Sequence, residues 1–467
     1  MKCLPSAKLP RAQGNVLHDW HAEVLAIRAF NRFVLEECRQ LALGGPDMSS
    51  PFLRHRTPDE MRASESTAGG DGDTENGWWN AQPFAWRDDV ALHMYCSEAP
   101  CGDASMELTM AAQAAASPWD IPSLPSSPYP PPSSPFPSNP TTSAEAELTT
   151  LPGRAYFSLL GAVRRKPARG DAPPTLSKSC SDKLALRQCA SLLSGLAALL
   201  VSPENAYVRC LVLPEAAYSA GGCRRAFSAT TLDEDDKGNG EGEGGNGAEV
   251  RVAKAKAGEG RMRSLYGRIW GGGYAFRPFE VRTTGLEFAF SRREVSRSET
   301  TAASNLAVAW IAAPTSLLIP TSPPLAPTTS TPTTSIPDAA DALTNAVRAP
   351  KGLEEATLGG TLQGCKQFDA RGASFASRRR MWGLAAEVAD LLAAAKTGAA
   401  GRCMAGMGEG TEEVGVAEIR RALANARTYG DLKMSRLLAA RRKMKEDVRA
   451  EALKGWTRNL GDDEFGI

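Results

Sequence analysis

The sequence predicts an α/β or α+β domain, and three observations carry that prediction. Apolar residues recur at helical spacing over 16–43, 184–201, 382–396 and 413–453. Shorter stretches at 90–96 and 206–213 alternate or run apolar as strands do. The chemically distinctive residues stand where elements begin: His21 near the start of a helix, Cys101 and Cys180 just ahead of later elements.

The first helix carries Val24, Ile27, Phe30 and Phe33 at helical spacing and stops at Gly44-Gly45. From 46 to about 80 the composition turns polar and Gly-rich, which predicts an insertion with little to bury. The strand over 90–96 delivers Pro100-Cys101 at its end. A dense Pro/Ser run within 112–150 predicts a stiff linker. A helix over 184–201, a strand over 206–213 and a helix over 217–227 follow. The acidic, Gly-rich 230–260, the Thr/Pro-rich 315–350 and the short 398–412 are further low-complexity insertions, unsuited to core packing. Strands are expected at 274–279, 286–290 and 306–312. Trp270-Gly271-Gly272-Gly273-Tyr274 lacks the Gly-Lys-Ser/Thr of a phosphate loop and reads as a turn into a strand. The expected organisation is one large domain over 1–465 interrupted by insertions.

Lys and Arg number 54 against 53 Asp and Glu, a formal charge of +1. Whole-chain charge therefore does not announce a nucleic-acid binder, and any RNA contact has to come from local patches. Ten cysteines without a short-period framework point to a reducing compartment, where a Cys is a ligand or a core residue. The longest apolar run, 189–201, is too short and too broken by Ser and Gly to span a bilayer. A soluble, intracellular protein is expected, cytoplasmic or nuclear, without membrane contact. Nothing in the residues points to a protein partner.

Three segments carry the chemistry: Asp19-Trp20-His21-Ala22-Glu23, Pro100-Cys101-Gly102-Asp103 and Ser179-Cys180-Ser181-Asp182-Lys183. A histidine near a helix start is ordinarily a surface or core residue, and a lone intracellular cysteine is ordinarily a core filler. Here both cysteines sit in polar, turn-forming sequence, and an acid stands two residues after the histidine. One imidazole and two thiolates make a first shell for tetrahedral zinc with the fourth position open for water. Glu23 would move the proton that such a water loses. Hydrolytic deamination of a nucleobase needs that set. Two positions apart on a regular helix do not face each other, so His21 and Glu23 converge only if the helix starts irregularly.

The wording around these residues resembles the tRNA-specific adenosine deaminases and their relatives, the adenosine deaminases acting on RNA. There the third ligand sits in a separate Ser-Cys-Ser-Asp-Lys segment, 79 residues after Cys101 in this chain. Further matches run through 164–167, 170–174, 274–279, 362–364, 377–382, 429–433 and 455–459. The resemblance implies a cytidine-deaminase-like mixed sheet flanked by helices. It also implies zinc on His21, Cys101 and Cys180, with Glu23 as the acid/base. The implied reaction is adenosine to inosine in tRNA, at position 37 beside the alanine anticodon. Alternatives are editing of other structured RNA and a catalytically inactive RNA-binding homologue. No double-stranded-RNA-binding module is visible, which favours tRNA over long duplexes.

The resemblance further implies an inositol hexakisphosphate inside the fold. The matching positions are Arg28, Lys166, Lys183, Arg378, Tyr429, Lys433, Lys443 and Trp456, with Asp19 and Lys183 linking it to the zinc shell. The chain departs at Ile27, Leu186 and Arg187, where the double-strand editors carry Arg, Arg and Trp. Arg164, Arg165, Arg169 and Asp171 match a loop that faces RNA. In the family a helix and a strand of the core sheet precede the segment matching Lys2-Cys3-Leu4-Pro5, so the expectation is either that the sequence begins late or that the protein has lost those core elements.

Overall fold

The computed structural model describes residues 2–45, 48–63, 78–111, 151–153, 160–166, 172–229, 260–296, 304–312, 317–318, 352–397 and 411–467. Its spine is helix α1 (Ala22–Gly44), which buries Leu25, Val34, Leu35, Cys38 and Leu41 along one stripe. Gly45 ends it at φ +69°, its N–H returning to the Leu41 carbonyl. The helix starts later than its periodicity suggests. Residues 16–20 lie outside it, and Val16, Leu17 and Trp20 pack with Leu4, Leu9 and Ala12 in a small core of their own.

Three three-stranded sheets surround this spine. In the first, β1 (Leu53–His55) runs antiparallel to β2 (Phe84–Trp86), which runs parallel to β4 (Val201–Ser202). In the second, β3 (Leu92–Tyr95), β5 (Val208–Pro214) and β6 (Glu280–Thr284) are all parallel. The third is antiparallel, with β7 (Leu306–Ala312) on β8 (Gly352–Leu358) and β8 on β9 (Thr361–Leu362). Helices α2 (Cys180–Ala190), α3 (Ala220–Phe227), α4 (Arg378–Thr397), α5 (Thr411–Asn425), α6 (Tyr429–Met434) and α7 (Ala439–Glu451) complete the layers. Helices and sheets together make the α/β domain expected, with the strands divided among separate sheets.

The main core joins α1, α4 and α5 around Trp382, Leu35, Leu199 and Ile419. A second core lies between the parallel sheet, α2 and α7, around Leu184, Leu211, Met444 and Leu453. A fully buried Leu contributes roughly 1.5–3 kcal/mol relative to exposure, so these two cores are the fold's main source of stability.

Several expectations change. The helix over 184–201 breaks at Ser191, a non-glycine residue at φ +53°, and resumes only as the turn Ala197–Leu200. Within the expected 46–80 insertion, Phe52, Leu53 and Met61 are buried and β1 joins a sheet. Three well-placed apolar side chains anchor a stretch whose average composition is polar. Strand material expected at 274–279 is realised further on, as β6, after a turn through Gly272 and Gly273 at φ +66° and +79°. No strand forms at 286–290, where Leu286 and Phe290 are exposed. The helical stretch 413–453 is three helices, broken at Asn425 and Met434. The insertion over 112–150, and most of 230–260, 315–350 and 398–412, lies outside the described residues.

Candidate metal centre and the cationic cluster behind it

His21 is the N-cap of α1, with extended backbone at φ −57°, ψ 145°, and Glu23 lies in the first turn. The irregular start that the His-x-Glu spacing demands is therefore present. The imidazole stands outside the helix, and its peptide N–H donates to Asp19 Oδ1 at 3.1 Å.

The two cysteine segments are stitched together at the N-terminus of α2. Ser181 N–H donates to the Cys101 carbonyl at 3.0 Å, Ser181 Oγ donates to the Pro100 carbonyl, and Ala104 N–H donates to Ser181 Oγ. Gly102, at φ +109°, is required here, because a Cβ would fall 2.4 Å from Ser179 Oγ. Ser179 caps the helix by accepting from Asp182 N–H.

This stitching brings His21, Cys101 and Cys180 into one group whose ligand atoms lie within 4.8 Å of one another. His21 Nδ1 is 3.8 Å from Cys180 Sγ and 4.0 Å from Cys101 Sγ. Zn–N and Zn–S bonds at tetrahedral angles put N and S about 3.6 Å apart, so the donor set and its spacing fit zinc. Cys180 N–H donates to Cys101 Sγ at 3.3 Å. The Cys180 thiol, with Lys166 and His21, holds Cys101 well below the usual thiol range against the burial that opposes it. Burial, followed by Cys101, pushes Cys180 up. Glu23 is raised by burial first and by Cys101 second.

Asp19 sits behind the ligands. Its Oδ2 accepts from Lys166 Nζ at 2.9 Å, from Ser177 Oγ at 2.6 Å and from Lys183 Nζ. Burial would raise Asp19, but Lys183 and Lys166 outweigh it and hold the carboxyl well below its ordinary range. Lys166 also donates to Cys180 Sγ at 3.1 Å. The expected Lys183–Asp19 link to the metal shell is present as geometry, and Lys166 faces the cysteines.

Beyond Lys183, the expected polyphosphate positions need revision. Lys443 is exposed and pairs with Asp447 at 2.8 Å. Two residues along α7 is about 200° around the helix, so Lys445 turns inward instead. The charges nearest Lys445 are Arg441, Arg187, Arg449 and Lys433, and burial with this repulsion holds it well below its ordinary pKa. The same pressure brings Arg187 down to about 9 and Arg28 to about 10, burial leading in each. Lys178 falls to about 7, from burial and then from Lys183 and Arg449. Trp456 lies under Lys178 and Arg449, at 5.8 and 5.6 Å from its ring. Arg441 Nε and Arg449 Nε are buried without a partner among the described residues.

Tyr429 lies between Arg378 and Lys433. Those two cations are already matched by Asp462 and Asp463. Sequence reasoning missed Lys178, Arg441, Lys445 and Arg449. For the last three the signal was the spacing Arg441, Lys445, Arg449 at i, i+4, i+8.

Of the expected RNA-facing residues, Arg164 is buried at 2% exposure, its N–H on Asp182 Oδ2, so it does not face solvent. Its place two residues before Lys166, in a short strand pair, turns it into the protein. Arg165 is half-buried, and Arg169 and Asp171 lie outside the described residues. His18 was not singled out by the sequence. It donates to Asp462 Oδ2 at 2.6 Å and accepts from Asn459 at 3.1 Å. No described helix is long and apolar enough to cross a membrane.

Residues 76–235 match the family model of the adenosine-deaminase (editase) domain. The chain is 31% identical to the tRNA-specific adenosine deaminase 1 of Schizosaccharomyces pombe over 314 residues, 67% of this chain and 60% of that protein. It is 30% identical to the protein of the same name from Saccharomyces cerevisiae over 214 residues, covering 46% and 44% of the two chains. The chain thus spans about three fifths or less of the relatives it matches. The match covers Cys101 and Cys180, the two cysteines of the His/Cys/Cys group, and the chain thus carries an adenosine-deaminase (editase) domain over residues 76–235.

Proposed function

We propose that this protein hydrolytically deaminates adenosine to inosine in tRNA, releasing ammonia, at a zinc held by His21, Cys101 and Cys180. The observation that carries the reading is the convergence of those three side chains beside Glu23. When bound, zinc supplies Lewis acidity and makes a water acidic enough to attack the ring carbon. Glu23 takes one proton from the attacking water and delivers it to the purine ring nitrogen, where inosine keeps it, and then carries the water's second proton, from the new hydroxyl, to the departing amine. Burial raises its pKa, the direction that suits a group that both accepts and donates a proton. Lys166 stabilises the thiolate form of Cys180, and Asp19 holds Lys166 in place.

The cluster of Arg28, Lys178, Lys183, Arg187, Arg441, Lys445 and Arg449 fits a compact polyanion. Its cations face one another, and two buried guanidinium nitrogens lack partners. Inositol hexakisphosphate, the group implied by the resemblance, has the required charge and size.

The relatives' names point to tRNA as the substrate class, and position 37 of alanine tRNA is the specific site proposed. Incubating the purified protein with alanine tRNA transcript and sequencing for inosine tests this. Inosine confined to the anticodon-adjacent adenosine is expected. Equal rates on tRNA and on a perfect RNA duplex would move the protein to the editing of other structured RNA.

A further inference from the structure

We propose that Arg261 is a positioning residue that clasps the two cysteine segments together and thereby sets the Cys101–Cys180 spacing. The inference rests on the metal reading above. Each cysteine is followed two residues later by an aspartate, Asp103 and Asp182. Both aspartates are buried, and their charges converge on one guanidinium. Arg261 Nη1 is 2.6 Å from Asp182 Oδ1 and 3.7 Å from Asp103 Oδ2, and the Arg261 side chain is 6% exposed.

The arginine is itself fixed from behind. Its Nε donates to the Ala226 carbonyl at 2.9 Å, and its peptide N–H donates to the Arg225 carbonyl. On the other side Asp182 is tied down by Ser179 Oγ and Arg164 N–H. Asp103 has no such support: neither of its oxygens has a hydrogen-bond partner among the described residues.

Two buried carboxylates, each adjoining a metal-ligating thiolate, repel one another unless a cation stands between them. Arginine suits this place because, with Nε anchored on the Ala226 carbonyl, its rigid guanidinium holds Nη1 toward both carboxylates. Arg164 also bears on both carboxylates, and Arg261 lies within ion-pairing distance of both. Without Arg261 the seam would lean on Arg164, the Ser181 hydrogen bonds and the Cys180 N–H contact to Cys101 Sγ.

The test is the rate of zinc release to a colorimetric chelator from the zinc-loaded full chain. Arg261→Met should release zinc about tenfold faster or more, the range found when groups behind metal ligands are lost. Arg261→Lys should fall between. Adding Asp103→Asn to Arg261→Met should restore much of the loss, since it removes the stranded carboxylate. Leu265→Ala, a cavity in the same core, should lower the melting temperature and leave zinc release unchanged. In cobalt-substituted protein, Arg261→Met should also alter the thiolate-to-metal charge-transfer band.

Should Arg261→Met not fold, Arg261→Lys carries the comparison. Wild-type zinc release from these variants, with Cys101→Ser losing zinc, overturns the clasp and leaves the metal reading standing. Wild-type zinc retention by Cys101→Ser overturns the metal reading itself.

Discussion

The metal pocket and the cationic cluster share α1 and α2, yet they treat charge in opposite ways. In the pocket, the buried aspartates meet bases. Asp19 has Lys166 and Lys183, and Asp103 and Asp182 share Arg261. In the cluster, Arg187 and Arg441 donate to backbone carbonyls between Ala190 and Leu193, but the charges that Arg187 and Lys445 feel are chiefly those of other cations. Uncompensated buried charge is strongly destabilising, so the first region is electrostatically complete without a polyanion and the second is not. Lys183 joins them, which lets an anion in the cluster bear on Asp19 and, through Lys166, on Cys180.

The largest expected effect breaks the pocket's division of labour. Glu23→Gln should keep one zinc per chain while deamination falls by about 10²–10⁴-fold, as removal of a general acid/base does. Cys101→Ala and Cys180→Ala should lose the metal as well as the activity. Metal analysis that finds Glu23→Gln without zinc would show that Glu23 is a ligand.

A smaller effect, of several degrees in melting temperature, separates the cluster from an ordinary helix face. Lys445→Met should stabilise protein stripped of polyanion, since it removes a repelled cation. The same change should destabilise protein saturated with inositol hexakisphosphate. Lys443→Met should change little in either state, because its ammonium is exposed and paired only with Asp447. Thermal unfolding of both variants with and without the polyanion decides the matter. A sign for Lys445→Met that does not invert would mean that no anion is bound among these residues.

What the sequence could show here follows the range of each interaction. His21, Glu23, Cys101 and Cys180 were legible because their chemistry is local: residue types, turn-forming neighbours and one short spacing. The helix α1 and the strands β3, β5 and β7 were legible from periodicity. Lys445 was not, because Arg441-Arg442-Lys443-Met444-Lys445 offers cations on every side of a helix and only packing chooses the inner face. Arg164 misled for the same reason, being a basic residue in a basic run that turns inward to Asp103 and Asp182. β1 was hidden by polar neighbours, and Leu286 and Phe290 looked like strand residues although no partner strand pairs with them among the described residues.

The smallest effect uses His18, which sits where the cluster's rim meets the chain's C-terminal segment. Burial, then Arg378, lowers its pKa from 6.5 to about 4, with Asp462 opposing and Arg28 adding to the depression. Between those values the unfolded chain binds a proton that the folded protein refuses, so stability rises with pH across this window. The contribution is complete above about pH 6.5 and drains away as pH falls toward 4, roughly 3 kcal/mol at most. Denaturant midpoints from pH 4 to 7 should show that slope, and His18→Asn should flatten it. A polyanion beside Arg28 and Arg378 would offset their field on the imidazole, so saturating inositol hexakisphosphate should raise the His18 pKa by nuclear magnetic resonance titration and shrink the acid loss. A His18 titration indifferent to the polyanion would place the anion's binding elsewhere than beside Arg28 and Arg378, even if Lys445 responds.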